Sequence, residues 1–257
     1  TQVIADALLE CEKPDCLLLQ NDDAIRRKEG MECFTRVLYG TLPEENIIHE
    51  NGVKLAVDVL GGQKTGYFLD QKDNHLFVRQ FCKDARVLDC FSYIGAFALN
   101  AAAAGAKEVT AVDISEAAVQ LIEKNAALNG AEITAVCANC FDFLRAQVKA
   151  GEKYDVVVLD PPAFTKAHAN MASACRGYKE IALSAMRLLP AGGVLATHSC
   201  SYHMPEEVFV NTVLSAAQDL HRQVRIITLR RQDIDHPVLA GYPESHYLKS
   251  LWLQMLD

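Results

Sequence analysis

Fourteen glycines and eight prolines are few for 257 residues, and no internal repeat spaces them. With half the residues hydrophobic and 23% charged, that scarcity excludes collagen-like, low-complexity and disordered chains. Long apolar runs are missing as well: stretches such as Val156-Val157-Val158-Leu159 fall far short of the ~20 residues that cross a bilayer. No basic-then-apolar segment opens the chain as a signal peptide would, and Thr1 in place of methionine points to sequence missing upstream. The nine cysteines are odd in number and scattered, which fits a reducing cytosol and a cytoplasmic protein better than a disulfide framework. Cys137 and Cys140 form a lone CxxC with no second pair nearby, so a zinc site lacks ligands and no metal is expected. Positive charge is in deficit, and a net charge of −8 argues against a nucleic-acid partner, whose phosphates call for Lys and Arg.

What is present is enough chain to bury roughly three quarters of its unfolded surface without a staple. From about residue 85 strand-like and helix-like segments alternate. Arg86–Leu88, Glu108–Val112, Ile133–Val136, Tyr154–Leu159 and Val194–Thr197 read as strands. Helical stretches separate them: Gly95–Ala104, a helix capped by Ser115 and stopped at Asn129-Gly130, the amphipathic Phe141–Val148, and one ending at Leu188 before Pro190. A helix beginning at Pro205 and strands near Val224–Leu229 and Tyr247–Leu253 complete the pattern, which predicts an α/β domain with a parallel sheet covered on both faces. The first 70 or so residues break this rhythm. Cys33–Tyr39, Val53–Val57 and Tyr67–Leu69 are strand-like pieces lying close together, with turn signals at Asn51-Gly52 and Gly61-Gly62. We read residues 1–73 as a small α+β domain ending in a β-hairpin, and 74–257 as the larger domain.

In open parallel sheets ligands bind beyond the carboxyl ends of the strands. Asp89 lies at the end of the first strand and Asp113, 24 residues on, closes the second, where an acid can accept hydrogen bonds from ribose hydroxyls. The turn between strand and helix keeps only Gly95 of a G-x-G-x-x-G pattern, so a dinucleotide pyrophosphate is poorly served. An acid at the first strand end suits an ammonium instead. Together Asp89 and Asp113 favour a nucleoside that carries an amino acid, S-adenosylmethionine, although both also read as ordinary strand-end caps.

Asp160-Pro161-Pro162-Ala163-Phe164 follows a buried strand. Two prolines stiffen the loop and can aim the carboxylate into the cleft, and Phe164 can stack on a base. A loop that merely turns sharply is the plainer reading, but an Asp there is costly to desolvate without a partner. Cys200 closes the next strand between two serines, with His198 and His203 near in sequence. Most such cysteines are small core hydrophobes, as Cys90 and Cys137 are expected to be. For a nucleophile, ionising an ordinary thiol at pH 7 costs about 2 kcal/mol, which a nearby cation or base can offset.

Lys64-Thr65-Gly66-Tyr67-Phe68-Leu69-Asp70, Asp89-Cys-Phe-Ser-Tyr-Ile-Gly95, Asp160-Pro-Pro-Ala-Phe164 and Ser199-Cys200-Ser201 occur in this order and at these spacings. Together they resemble the class I S-adenosylmethionine-dependent ribosomal RNA methyltransferases of the large-subunit cytosine-5 type, over roughly residues 50–257. The resemblance implies a Rossmann-like seven-stranded sheet with a small domain before it, and an N-terminal PUA domain that is absent here. It implies that the hairpin residues Lys64, Thr65, Phe68 and Asp70 close over the methionine part of the cofactor, with Asp89, Ser92 and Gly95 around it. Asp113 would hold the ribose beside Ile114. Asn139 and Cys140 would lie at the adenine, Asn139 accepting from its amino group through the carbonyl. Asp160, also counted among the cofactor-binding residues, would contact the target base, with Pro161, Pro162 and Phe164 beside it. Cys200 would add to carbon 6 of cytosine. Ala163 stands where related enzymes carry a second cysteine that assists release, which leaves the releasing base unassigned.

The partner implied is RNA, in particular ribosomal RNA, with no membrane; monomer and homodimer stay equally open. Three other readings compete: a guanine-nitrogen RNA methyltransferase, which needs no nucleophile; a small-molecule methyltransferase, which the acidity permits; and a non-catalytic RNA-binding module. Cys200 speaks against the first and third. The basic clusters Arg26-Arg27-Lys28 and Arg222, Arg225, Arg230 and Arg231 speak against the second.

Overall fold

A computed structural model of the chain describes residues 1–63, 65–164 and 171–257. They form two compact units, Thr1–Asn46 and Ile47–Asp257. The first contains helix α1 (Gln2–Cys11) and an antiparallel pair, β1 (Cys16–Asn21) with β2 (Phe34–Gly40). Between the strands lies α2 (Ala24–Lys28), capped by Asp23, whose carboxylate accepts from the Ile25 amide at 2.8 Å.

The second unit opens with a hairpin, β3 (Asn46–Glu50) and β4 (Val53–Val57), turned by Asn51 and Gly52, both at positive φ as a tight hairpin turn requires. The sequence places this hairpin in a domain ending near residue 73; in the structure it packs with the unit Ile47–Asp257. The cause is burial: Val53, Leu55, Val57 and Tyr67 share a core with Ile94, Ala96 and Leu99. Asn125 and Asn129 extend the β4 edge with side-chain amides, accepting from the Ala56 and Lys54 N–H groups at 2.7 and 2.9 Å. The expected strand Tyr67–Leu69 does not form. Asp58 Oδ1 accepts from the Leu60 and Gly61 amides at 3.0 and 2.8 Å and winds the chain into turns, and Leu69–Gln71 is a short 3-10 turn.

The remaining elements are α3 (Lys72–Phe77), β5 (Arg86–Cys90), α4 (Ala96–Ala103), β6 (Glu108–Asp113), α5 (Glu116–Asn129), β7 (Thr134–Cys137), α6 (Cys140–Ala150), β8 (Val156–Leu159), α7 (Met171–Leu188), β9 (Val194–Ser199), α8 (Glu206–Asp219), β10 (Val224–Arg230) and β11 (Lys249–Met255). As predicted, Ser115 caps α5 by accepting from the Ala118 amide, and Gly130 ends it. Seven strands make one mixed sheet in the order β10-β11-β9-β8-β5-β6-β7, with β5 through β9 parallel and β11 antiparallel to both its neighbours.

Strand side chains alternate between two cores. Leu88, Val157, Leu159, Leu195, Leu251 and Leu253 pack with residues of α6, α7 and α8. Val87, Val156, Val158, Ala196 and Trp252 pack with Phe97, Ala98 and Val78 on the other face. Burial on both faces is why β8 reads as an unbroken apolar run. The strand order reverses between β5 and β8, so the loops beyond their carboxyl ends open a crevice there. No helix of the described residues is long and apolar enough to cross a membrane.

Candidate functional site

A cavity of about 310 Å³ lies at those carboxyl ends, within the range of small-molecule sites. Its one half is built by the loops after β5, β6 and β7. The turn after β5 carries Phe91, Tyr93 and Gly95 at positive φ. Gly95 starts α4 in a left-handed conformation, with φ of +85°, which favours glycine there. The turn aims its amides outward: the Tyr93 N–H donates to Asp113 Oδ2 at 2.9 Å, while Ser115 N–H donates to Asp113 Oδ1 at 2.9 Å. Two backbone donors therefore fix the Asp113 carboxylate in the cavity wall and leave it lone pairs to spare. Ile114, 68% exposed, presents an apolar surface next to it, with Asn139, Cys140 and Phe141 also on the wall.

Asp89 stands elsewhere. It shares a strand face with Val87 and is fully buried behind Ser92, whose hydroxyl donates to its Oδ2 together with the Ala98 amide. Asp89, expected at the ammonium, is buried beside the cavity wall rather than on it, and its Oδ2 pegs the start of α4. Burial, against the Ser92 and Ala98 hydrogen bonds and with the nearby Asp113 charge, pushes it up to about 7. Asn139 also differs. Its carbonyl caps α6, accepting from Phe141 and Asp142 amides at 2.9 and 3.4 Å, so the acceptor expected to meet an adenine amino group is already engaged.

The other half comes from the loops after β8 and β9, from Leu248 just before β11 and from the 67–75 segment. Asp160, Pro161, Pro162, Phe164 and Cys200 all line the cavity. Asp160 accepts from Gln71 Nε2 at 3.2 Å; Gln71 accepts from Asn74 at 2.7 Å, and Asn74 accepts from Arg230 at 2.9 Å. This buried relay orients the carboxylate. Phe164 packs on Tyr178, ring centroids 4.7 Å apart, and close to Gly177, so one side of its ring is spent on α7 rather than open to a base. Tyr178 donates to Ser199 Oγ at 2.9 Å and Tyr247 to Asp70 Oδ2 at 2.7 Å, flanking the Cys200 loop. Cys200 itself is half-buried, unlike the wholly buried Cys82, Cys90 and Cys140.

Of the residues the sequence singles out, Phe68, Asp70, Ser92, Asp113, Ile114, Asn139, Cys140, Asp160, Pro161, Pro162, Phe164 and Cys200 share this one cavity. Thr65 is exposed and, with Asp89 and Gly95, is not on its wall; Lys64 lies outside the described residues. The sequence does not single out Gln71, His75, Tyr93 or Phe141, which also line it. His198 supplies no cation to Cys200: it is fully buried, stacked on Phe97, and burial and the neighbouring His75 push it down to about 3. Of the C-terminal arginines, Arg222 and Arg230 are half-buried, while Arg225 and Arg231 stay exposed. Arg222 donates to the Met186 and Leu189 carbonyls, Arg225 to Gln254, Arg230 to Asn74, and Arg231 faces Glu206 at 3.7 Å.

The cavity fits a nucleoside with an amino-acid tail. Asp113 offers acceptors for vicinal hydroxyls, Ile114 and Phe141 offer apolar faces for a base, and no Gly-rich phosphate cradle is present among the described residues. Residues 24–234 match the family model described as S-adenosylmethionine-dependent methyltransferase. The chain is 45% identical over 243 residues to "Ribosomal RNA large subunit methyltransferase I" of Aeromonas salmonicida, covering 93% of this chain and 61% of that protein. It is 43% identical over 262 residues to the protein of the same name in Vibrio campbellii, covering 99% of this chain and 66% of that one. It therefore spans less than two thirds of these relatives' length. Among solved structures, a putative SAM-dependent methyltransferase from Streptococcus mutans superposes with a TM-score of 0.76 at 24% identity, covering 86% of this chain and 58% of that one. Trm5b from Pyrococcus abyssi does so with a TM-score of 0.68 at 16% identity, covering 98% and 68%.

Proposed function

We propose that this chain, which belongs to the S-adenosylmethionine-dependent methyltransferase family, methylates carbon 5 of a cytosine in large-subunit ribosomal RNA through a covalent adduct with Cys200. The observation that carries the reading is the placement of Asp113, Asp160 and Cys200, from three separate strand ends, on the wall of one cavity. The relatives named as ribosomal RNA large subunit methyltransferases support the substrate class.

S-adenosylmethionine, when bound, supplies an electrophilic methyl group. Asp113 holds its ribose hydroxyls, with Ile114 and Phe141 against the base and Ser92 and Phe68 toward the tail. Carbon 5 of cytosine is a poor nucleophile, and the Cys200 thiolate corrects that by adding to carbon 6, which pushes electron density onto carbon 5. Asp160, held by Gln71, accepts from the exocyclic amine and, in its protonated form, gives its proton to ring nitrogen 3, where thiolate addition develops negative charge. Once carbon 5 carries the methyl, its proton leaves to a base, the sulfur–carbon 6 bond breaks, and Cys200 returns as thiolate. The cavity admits one base only if it has left its stack, at a cost of a few kcal/mol that an unpaired target avoids.

Incubation with S-adenosylmethionine and ribosomal RNA, digestion to nucleosides and mass spectrometry tests the reading. It requires 5-methylcytidine, lost in the Cys200→Ala variant. Methylguanosine as the product, or 5-methylcytidine made at full rate without the thiol, overturns it.

A further inference from the structure

Lys249, the first residue of β11, is 2% exposed, an unusual place for an ammonium. Its register partner on β9 is Ser199, and its Nζ donates to the backbone carbonyls of Ser201 at 2.5 Å and Tyr247 at 2.8 Å. The side chain thus runs from beside the residue before Cys200 to the residue after it. Among the described residues no carboxylate lies within salt-bridge distance of Nζ, and two neutral carbonyls do not balance a buried charge. Among the described residues, the groups facing this loop include two phenols, several carboxylates and the imidazole of His246. Tyr178 of α7 and Tyr247 beside β11 are phenols, both held above their ordinary range, first by burial. Asp70 and Asp160 face these two phenols, and Glu206 at the start of α8 is shared with His246 and Arg231. Burial pulls Lys249 down to about 8, against the upward pull of Cys200 and Glu206, so its charge depends on a nearby anion.

We propose that Lys249 is a positioning residue whose buried ammonium is the counter-charge of Cys200, holding the Ser199–Ser201 turn in place and favouring the thiolate over the thiol. The proposal rests on the reading of Cys200 as the nucleophile, but the pair can be tested without turnover. A lysine acting only as a staple would fix the loop without moving the ionisation of the thiol; a counter-charge moves both.

The test is the pH dependence of Cys200 alkylation by iodoacetamide, resolved by peptide mass spectrometry in the full chain, with the exposed Cys137 as internal reference. In the wild type the midpoint for Cys200 is expected below that for Cys137. Lys249→Met is expected to raise it by at least about one pH unit, a tenfold loss of thiolate at neutral pH, while Lys249→Arg keeps most of the shift. In steady-state assays the acid limb of kcat moves to higher pH in Lys249→Met, with KM for RNA unchanged. An unchanged Cys200 profile in Lys249→Met, with S-adenosylmethionine binding intact, overturns the proposal. Should that variant fail to fold, a wild-type Cys200 midpoint at or above that of Cys137 overturns it equally. Full methylation by Cys200→Ser would instead defeat the nucleophile reading and leave the alkylation result standing.

Discussion

The two halves of the cavity are held by different means. On the β5–β7 side the functional groups are set by backbone: Asp113 is fixed by the Tyr93 and Ser115 amides, and the turn that supplies one of them carries Phe91, Tyr93 and Gly95 at positive φ. On the β8–β11 side they are set by side chains distant in sequence. Asp160 leans on Gln71, Asn74 and Arg230, and the Cys200 turn leans on Tyr178 and Lys249. A wall of strand-end backbone survives substitution of its neighbours and suits a ligand that is the same in every cycle. A wall of relayed side chains can tune charge, which is what a nucleophile and a charge-stabilising carboxylate need.

The contrast is sharpened by breaking each half. The largest effect is expected from Cys200→Ala, with methyl transfer to RNA falling to background in a labelled-methyl assay while the calorimetric Kd for S-adenosylmethionine stays unchanged. Asp160→Asn is next, with kcat down about 10²–10³-fold, the cost of losing one electrostatic stabiliser, and again little change in cofactor Kd. Asp113→Ala should do the reverse, weakening cofactor binding about 10–100-fold by calorimetry through loss of charged hydrogen bonds. Gln71→Ala, which only slackens Asp160, should lower kcat several-fold and leave the cofactor Kd alone; an equal loss in both would erase the division between the halves.

Asp89 gives the smallest effect and a different one, on stability. Because burial raises it to about 7 from an ordinary 3.8, the folded chain keeps a proton that the unfolded chain releases between those values. Stability from this group therefore falls as pH rises from about 4 to about 7 and levels off above. Asp89→Asn, which stays neutral, should flatten that slope, so that urea midpoints gain on the wild type at pH 8 but not at pH 4. A variant that loses stability equally at both pH values would show that Asp89 is ionised in its pocket.

The same division governs how much of the molecule could be read in the sequence. The sheet and its helices were legible because hydrophobic period, Ser115 and Asn129-Gly130 act locally. Asp113, Asp160 and Cys200 were legible because each closes a strand, and parallel strands bring their carboxyl ends together. Asp89 marks the limit of that signal: a strand-end acid announces its height in the sheet but not which face it points to, and one residue decides that. The expected Tyr67–Leu69 strand was misread because a short run of apolar residues suits a strand and the start of a 3-10 turn alike, and Leu69–Gln71 forms the turn. Lys249 and Gln71 were not legible, since a buried lysine at the head of an antiparallel strand looks like any strand-end charge until its partner strand is known. Of the four C-terminal arginines that suggested an RNA surface, Arg222 and Arg230 are engaged within the fold and Arg225 and Arg231 stay exposed.

Ribosomal RNA carrying 5-fluorocytidine interrogates the Cys200 chemistry at its decisive atom, because fluorine cannot leave carbon 5 as the proton does and the adduct cannot collapse. Incubated with S-adenosylmethionine, the wild-type protein should form a denaturation-resistant RNA complex whose mass maps the crosslink to Cys200, and Cys200→Ala should form none. Methylation of the unmodified RNA with no trapped complex on the fluorinated one would contradict a thiolate adduct.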